Sequence, residues 1–151
     1  MNRILVGVDA SDSSVEALKR AAEEARWRDA TLEIAYVFEP AEHVSAWPVL
    51  PEKGSDRIPS VDEQRKQADE KLQEWLDGLD VDLSEVDVER NVIAHHKTAH
   101  ALIERSRDAD LAVVGSRGRG GFAGLRLGSV SEQVTRHARC PVLVIRPSTK
   151  E

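Results

Sequence analysis

The sequence predicts an α/β protein: an open five-stranded, mostly parallel sheet with helices on both faces, in a single domain spanning residues 1–151. Three observations carry this. Short apolar runs of strand length alternate with stretches of helical periodicity in the order βαβ then αβαβαβ, which implies parallel pairing through crossover helices. The first, fourth and fifth runs are apolar without alternation, as strands buried on both faces require. Six of the nine glycines crowd between Gly115 and Gly128, directly after the fourth run, where the topology of such sheets places ligand-binding loops.

Ile4 to Val8 forms the first strand and ends at Asp9, and Ser11-Asp-Ser-Ser14 then offers several helix caps. The helix runs to about Arg28, with Val15, Leu18, Ala22 and Ala25 on its inner side and Glu16, Glu23 and Glu24 on the other. Thr31 to Phe38 is the second strand, stopped by Pro40. Glu39 to Ser60 contains four prolines and little periodicity, so it reads as a long loop whose role the sequence does not give. Ser60 caps a second helix, Val61 to Asp77, which ends near Gly78 and turns Ala68, Leu72, Trp75 and Leu76 inward. Val86 to Ile93 alternates less cleanly and suits a strand nearer an edge. A helix from Thr98 to Asp108, a strand from Asp110 to Gly115, a helix from Ser129 to Ala138 and a strand from Pro141 to Ile145 complete the order.

Composition excludes several functions. A net charge of -6 argues against a general nucleic-acid binder, which would be basic. No apolar run approaches bilayer-spanning length, and Met1-Asn-Arg leads straight into a strand, so a cytoplasmic location and no membrane partner are expected. Cys140, the only cysteine, rules out an internal disulfide and reads as a small core residue. Trp27, Trp47 and Trp75 are too scattered for a stacking stripe and are assigned to core or loop packing. His96 and His100 stand four apart with His95 beside them and could share a helix face, but no third ligand follows at a telling spacing, so no metal site is expected.

The glycine run is not a P-loop, because no lysine lies between Lys97 and Lys150. Gly118 to Ala123 satisfies Gly-x-Gly-x-x-Ala, yet the dinucleotide fingerprint belongs after the first strand, and the match is treated as accidental. Gly115, Gly118, Gly128 and Ser129 do satisfy Gly-x2-Gly-x9-Gly-[Ser/Thr]. Arg117, Arg119 and Arg126 lie in a stretch with no acidic residue between Asp110 and Glu132, which makes one positive loop in an acidic chain. If the first and fourth strands are neighbours at the point where strand order reverses, Asp9 and Gly115 face each other across one crevice. Ser129 sits where an N-cap belongs, with free amides and a helix dipole suited to phosphate.

That four-point pattern resembles the nucleotide-binding signature of the universal stress protein family. The resemblance extends over nearly the whole chain, through Asp9, Tyr36-Val37-Phe38, Val113-Val114-Gly115 and Cys140 to Ile145. It implies a Rossmann-like, adenine nucleotide alpha hydrolase-like fold and ATP as ligand. Asp9, with Ala10 and Ser11 beside it, would contact ribose or phosphate, and the backbone of Val37 would pair with the adenine edge. Val114, Gly115, Gly118 and Arg119 would lie along ribose and phosphates, and Gly128, Ser129 and Val130 would hold phosphate. Asp9 serves equally as a plain helix cap. A Mg²⁺ ion on the phosphates, near Asp9, is consistent with how that ion is usually held.

No Ser-His-Asp order or paired carboxylates stand beside the loop, so no catalytic residue is assigned and hydrolysis would be slow at most. The leading expectation is an ATP-binding, dimeric stress-response sensor. A slow ATPase or phosphotransfer enzyme and a nucleotide-free dimeric adaptor are the alternatives. The last strand, Pro141 to Ile145, would lie at a sheet edge and meet its copy antiparallel in a homodimer.

Overall fold

The structure is a computed structural model that describes residues 2–41, 58–116 and 127–147. Five strands, β1 (Arg3–Val8), β2 (Thr31–Phe38), β3 (Asp87–Ala94), β4 (Leu111–Gly115) and β5 (Val142–Ile145), form one sheet in the order β3-β2-β1-β4-β5. Every pairing is parallel, from Arg3↔Thr31 to Val8↔Tyr36 between β1 and β2, and from Ile4↔Leu111 to Val6↔Val113 between β1 and β4. The strand order reverses between β1 and β4, as the crevice argument requires. β3 and β5 are the two edges.

Among the described residues four α-helices connect the strands: α1 (Asp12–Arg28), α2 (Val61–Asp77), α3 (Thr98–Arg105) and α4 (Ser129–His137). The third is shorter than its sequence pattern, since Ser106–Asp108 tightens into a 3-10 turn. Two cores sandwich the sheet. On one face Ile4, Val6, Leu32, Ile34 and Val113 pack with α1 and with Leu72 of α2. On the other, Leu5, Ala35, Ala112 and Val114 pack with Ala99 and Leu102 of α3 and Val134 of α4. Alternating strand residues therefore face opposite helical layers. Each fully buried Leu or Ile contributes about 1.5–3 kcal/mol of hydrophobic stabilisation.

α1 corrects the sequence pattern in two respects. Its buried stripe is Ala17, Leu18, Ala21, Ala22 and Ala25, with Val15 half-buried, and Glu24 lies at the buried margin instead of on the open side. Arg20 and Arg28, one turn before and after, hold the Glu24 carboxylate at 3.3 and 3.2 Å. Trp27, assigned to packing, is 66% exposed, with the Arg20 guanidinium 5.3 Å from its ring centre.

Two buried polar side chains brace the sheet. Glu33, in the middle of β2, receives two bonds from Arg105 at 2.8 and 2.7 Å, one from Arg3 at 3.0 Å and one from Asn91 at 3.1 Å. Burial pushes its carboxyl up, but hydrogen bonds from Arg105 and Asn91 and the charges of Arg105 and Arg3 outweigh that and hold it below its ordinary value. Gln64, in the first turn of α2, bonds the amide and carbonyl of Ala41 and the carbonyl of Pro59, tying together the chain on either side of residues 42–57.

Candidate functional site at the strand-order reversal

Two helices begin at the carboxyl ends of the central strands. β1 leads into α1 through Asp9, Ala10 and Ser11. Ala10 takes a left-handed conformation, φ 65°, a cost of about 1–2 kcal/mol for a residue with a Cβ. The turn is held by hydroxyls and one carboxylate. Asp9 Oδ1 accepts from the Ser11 amide at 2.9 Å and from Ser14 Oγ at 2.6 Å, and the Asp9 amide donates to Ser14 Oγ at 2.9 Å. Ser11, not Asp9, is the N-cap of α1, its side chain accepting from the Ser14 amide. Asp9 shapes the turn that presents the cap.

β4 ends at Gly115 directly beside this turn. A Cβ on Gly115 would lie 2.8 Å from Ser13 Cβ and 3.0 Å from Ser13 O, so the glycine is what lets the first turn of α1 pack against β4. The carbonyl of Gly115 accepts from Ser131 Oγ in α4. Beyond it, the Ser116 amide donates to Ile145 O at 2.8 Å, and the Ser116 carbonyl accepts from the Gly128 amide at 2.7 Å. The chain thus leaves β4 and returns to α4 at one place. Gly118 and Arg119, with Arg117 and Arg126, lie outside the described residues.

The start of α4 differs from expectation by one residue. Gly128, extended at φ -66° and ψ 163°, is the N-cap, its carbonyl accepting from the Glu132 amide at 2.9 Å. Ser129 is the first helical residue and is exposed, and Val130 is half-buried against the second core. With glycine as cap, no side chain satisfies the first-turn amides. They and the positive end of the dipole lie beside Gly115, whose carbonyl Ser131 of the same turn bonds.

Val37 lies at the end of β2. The Phe38 carbonyl accepts from the His95 amide at 2.9 Å, so Phe38 bonds toward β3. Strand alternation turns the amide and carbonyl of Val37 toward β1, one residue past the last β1 pair, Val8↔Tyr36. Val114, buried beneath Gly115, supports the β4 end from the α3 and α4 side. The structure therefore brings Asp9, Ala10, Ser11, Gly115, Gly128 and Ser129 to the reversal point, with Val37 one strand further along the same end of the sheet.

The histidines do not share a helix face. His96 precedes α3 and His100 is within it; His96 lies 3.7 Å from Glu39, and the His95 and His100 rings are 6.3 Å apart. Among the described residues no group of three or more His, Cys, Asp or Glu side chains could hold a metal ion. Cys140 is half-buried against the second core, and burial pushes its thiol up.

The sequence reading missed Ser131, which bonds β4 to α4, and singled out Ser14 only as one of several caps. A serine at the third position of a helix that starts on glycine is the signal that would have found the first. The second is set by Asp9, five residues earlier.

The chain matches the universal stress protein family over residues 1–146. It belongs to that family. It is 37% identical over 145 residues to universal stress protein Rv2623 of Mycobacterium tuberculosis, which covers 96% of this chain and 45% of the relative. It is 32% identical over 153 residues to universal stress protein MJ0531 of Methanocaldococcus jannaschii, covering 99% and 84%. This universal stress protein thus spans less than half the length of its mycobacterial relatives. The crystal structure of a universal stress protein in complex with cAMP is similar at 28% identity and a TM-score of 0.60, covering 97% of this chain and 98% of that one. No helix among the described residues is long and apolar enough to cross a membrane.

Proposed function

We propose that this universal stress protein binds an adenine nucleotide, ATP in the first instance, and acts through the bound state instead of by fast turnover. The observation that carries the reading is the contrast at the reversal point: α4 starts on a glycine with no side-chain cap, facing a strand end cleared by a second glycine. An anion completes such a helix start. Gly128, Ser129 and Val130 would hold the terminal phosphates, Ala10, Ser11 and Gly115 would line the ribose side with Val114 beneath, and Val37 would offer its backbone to the base. Gly118 and Arg119 complete the set proposed from the sequence. The similar protein solved with cAMP supports an adenine nucleotide as the class of ligand.

These residues fit a nucleotide through amides, a hydroxyl and a helix dipole. A Mg²⁺ ion, when present, would neutralise phosphate charge next to Asp9, whose Oδ1 already holds the turn. Calorimetric titration with ATP, with and without Mg²⁺, tests the reading. Saturable heat is expected, and a folded protein giving none overturns it.

The same reading places the protein in the cytoplasm as a homodimer. β3 blunts its edge with exposed Asp87, Glu89 and Arg90, whereas β5 is Val-Leu-Val-Ile, half-exposed at the other edge. An apolar, uncharged edge strand invites a second copy. Light scattering at micromolar concentration should return twice the chain mass, and a monomer there removes the dimer.

A further inference from the structure

The buried side of α2 is a stripe of residues one turn apart, Gln64, Ala68 and Leu72. Ala68 and Leu72 are apolar, and Leu72 joins the first core. Gln64, at the head of the stripe, is 1% exposed, in a position where an apolar side chain would bury the helix with no polar atoms to satisfy. Its amide is spent on main chain. Oε1 accepts from the Ala41 amide at 2.8 Å, and Nε2 donates to the Ala41 carbonyl at 3.2 Å and to the Pro59 carbonyl at 2.9 Å. Both main-chain groups of Ala41 are thereby paired with one side chain, and the start of α2 is fixed to the chain that leaves β2.

That chain carries Val37. β1 accompanies β2 only as far as Val8↔Tyr36. β3 continues alongside through Val37↔Ile93 and Phe38↔Ala94, and the His95 amide closes onto the Phe38 carbonyl at 2.9 Å. The amide and carbonyl of Val37, turned toward the side that β1 has left, are therefore backed by a strand on the β3 side alone. Further along, Ala41 is buried and held by Gln64. The end of β2 is thus anchored twice, to β3 through main chain and to α2 through one glutamine.

We propose that Gln64 is a positioning residue for base recognition: by pinning Ala41 to α2 it holds the Val37 amide and carbonyl at a fixed place and angle, and so sets a preference for adenine over guanine. The inference rests on the nucleotide reading, in which Val37 offers its backbone to the base. Adenine carries an amino donor where guanine carries a carbonyl acceptor. A rigid carbonyl and amide pair serves the first and leaves polar groups of the second unpaired, whereas a loose pair adjusts to either. The phosphate end is separate. Gly128, Ser129 and Val130 stand at the start of α4, which packs on the opposite face of the sheet from α2, so it does not depend on Gln64.

Gln64→Met keeps the side-chain volume and removes all three bonds. Gln64→Asn keeps an amide that is one methylene too short to span both segments, and is the milder change. The readout is calorimetry of the full chain with ATP, together with displacement of bound ATP by GTP and by inorganic triphosphate. In Gln64→Met, ATP should bind about fivefold more weakly, the scale of one net hydrogen bond. GTP and inorganic triphosphate should keep their wild-type affinity, so the preference for ATP over GTP shrinks by the same factor. Gln64→Asn should show the same pattern at smaller size, and it carries the test if Gln64→Met does not fold. An equal loss for all three ligands would make Gln64 a structural residue only and overturn the proposal, as would an unchanged preference for ATP over GTP in the folded variants. The two readings fail differently. A wild-type chain that does not bind ATP removes the nucleotide reading and this proposal with it, whereas ATP binding that is indifferent to both substitutions removes this proposal alone.

Discussion

The two helices that begin at the strand-order reversal meet the same physical problem and solve it differently. Both α1 and α4 leave first-turn amides without intrahelical partners. α1 closes its start with its own side chains: Ser11 caps the Ser14 amide, and Ser14 and Asp9 lock the turn. α4 starts on Gly128, which has no side chain to offer. The seryl start is complete as it stands, and the glycyl start has no side-chain cap. On the proposed nucleotide reading, the start of α1 serves the structure and the start of α4 serves binding.

The largest expected effect separates stability from binding. Glu33→Gln, on β2 away from both helix starts, leaves Arg105 and Arg3 facing a neutral amide. It should cost about 3 kcal/mol, the lower end for breaking a buried pair because both arginines are partly exposed. Chemical denaturation should show the loss, and nucleotide affinity per folded molecule should stay unchanged. The same group sets an acid limit. Its folded-state pKa is depressed, so its contribution is fully present above the ordinary value of 4.5 and is lost as pH falls through the folded value. Wild-type stability should fall in that acid window, and that component should vanish in Glu33→Gln.

Gly115→Ala is next. The added methyl would meet Ser13 Cβ and backbone at 2.8–3.0 Å, so α1 must move away from β4. About 1–3 kcal/mol of stability should be lost, with weaker nucleotide binding, because the two helix starts are then no longer in register. If affinity falls while thermal stability does not, the glycine serves the ligand alone and the packing argument fails.

How far these features could be read from the sequence depended on the range of the interaction. α2 was legible end to end, Ser60 as cap and Gly78 as stop, because both signals lie within one turn of the helix they bound. The edge position of β3 followed from its mixed polarity. The reversal point followed from strand order and the glycine cluster. Glu33 could not be read, since Asn91 and Arg105 are 58 and 72 residues away and only the folded sheet brings them to β2. Glu24 was misplaced because a helical wheel registers the angle of a carboxylate and not the two arginines that cover it. The α4 cap slipped by one residue because Gly128 and Ser129 are both good caps by type, and only backbone torsions decide between them.

Gly128→Asp would convert the open start into a closed one. The carboxylate should cap α4 and raise stability by a few tenths of a kcal/mol, while repelling phosphate and lowering ATP affinity at least about tenfold, or about 1.4 kcal/mol. Opposite signs on the two readouts are the signature. A stability gain without a loss of affinity would show that the nucleotide does not use this helix start.

The smallest effect on binding comes from opening the closed start. Ser14→Ala removes the hydroxyl that bonds both the Asp9 carboxylate and the Asp9 amide, a partly buried pair of contacts at 2.6 and 2.9 Å. About 1 kcal/mol of stability should be lost, the usual size for a hydrogen bond at a helix start. The Ser11 cap on the position 14 amide survives the substitution, so α1 acquires no exposed amides and gains no new affinity for phosphate. ATP binding should then weaken only through looser placement of Ala10 and Ser11, by less than in Gly128→Asp. Calorimetry on the two variants side by side ranks the two helix starts directly. If Ser14→Ala lost more affinity than Gly128→Asp, the phosphates would belong to α1, and the division of duties drawn from the caps would be reversed.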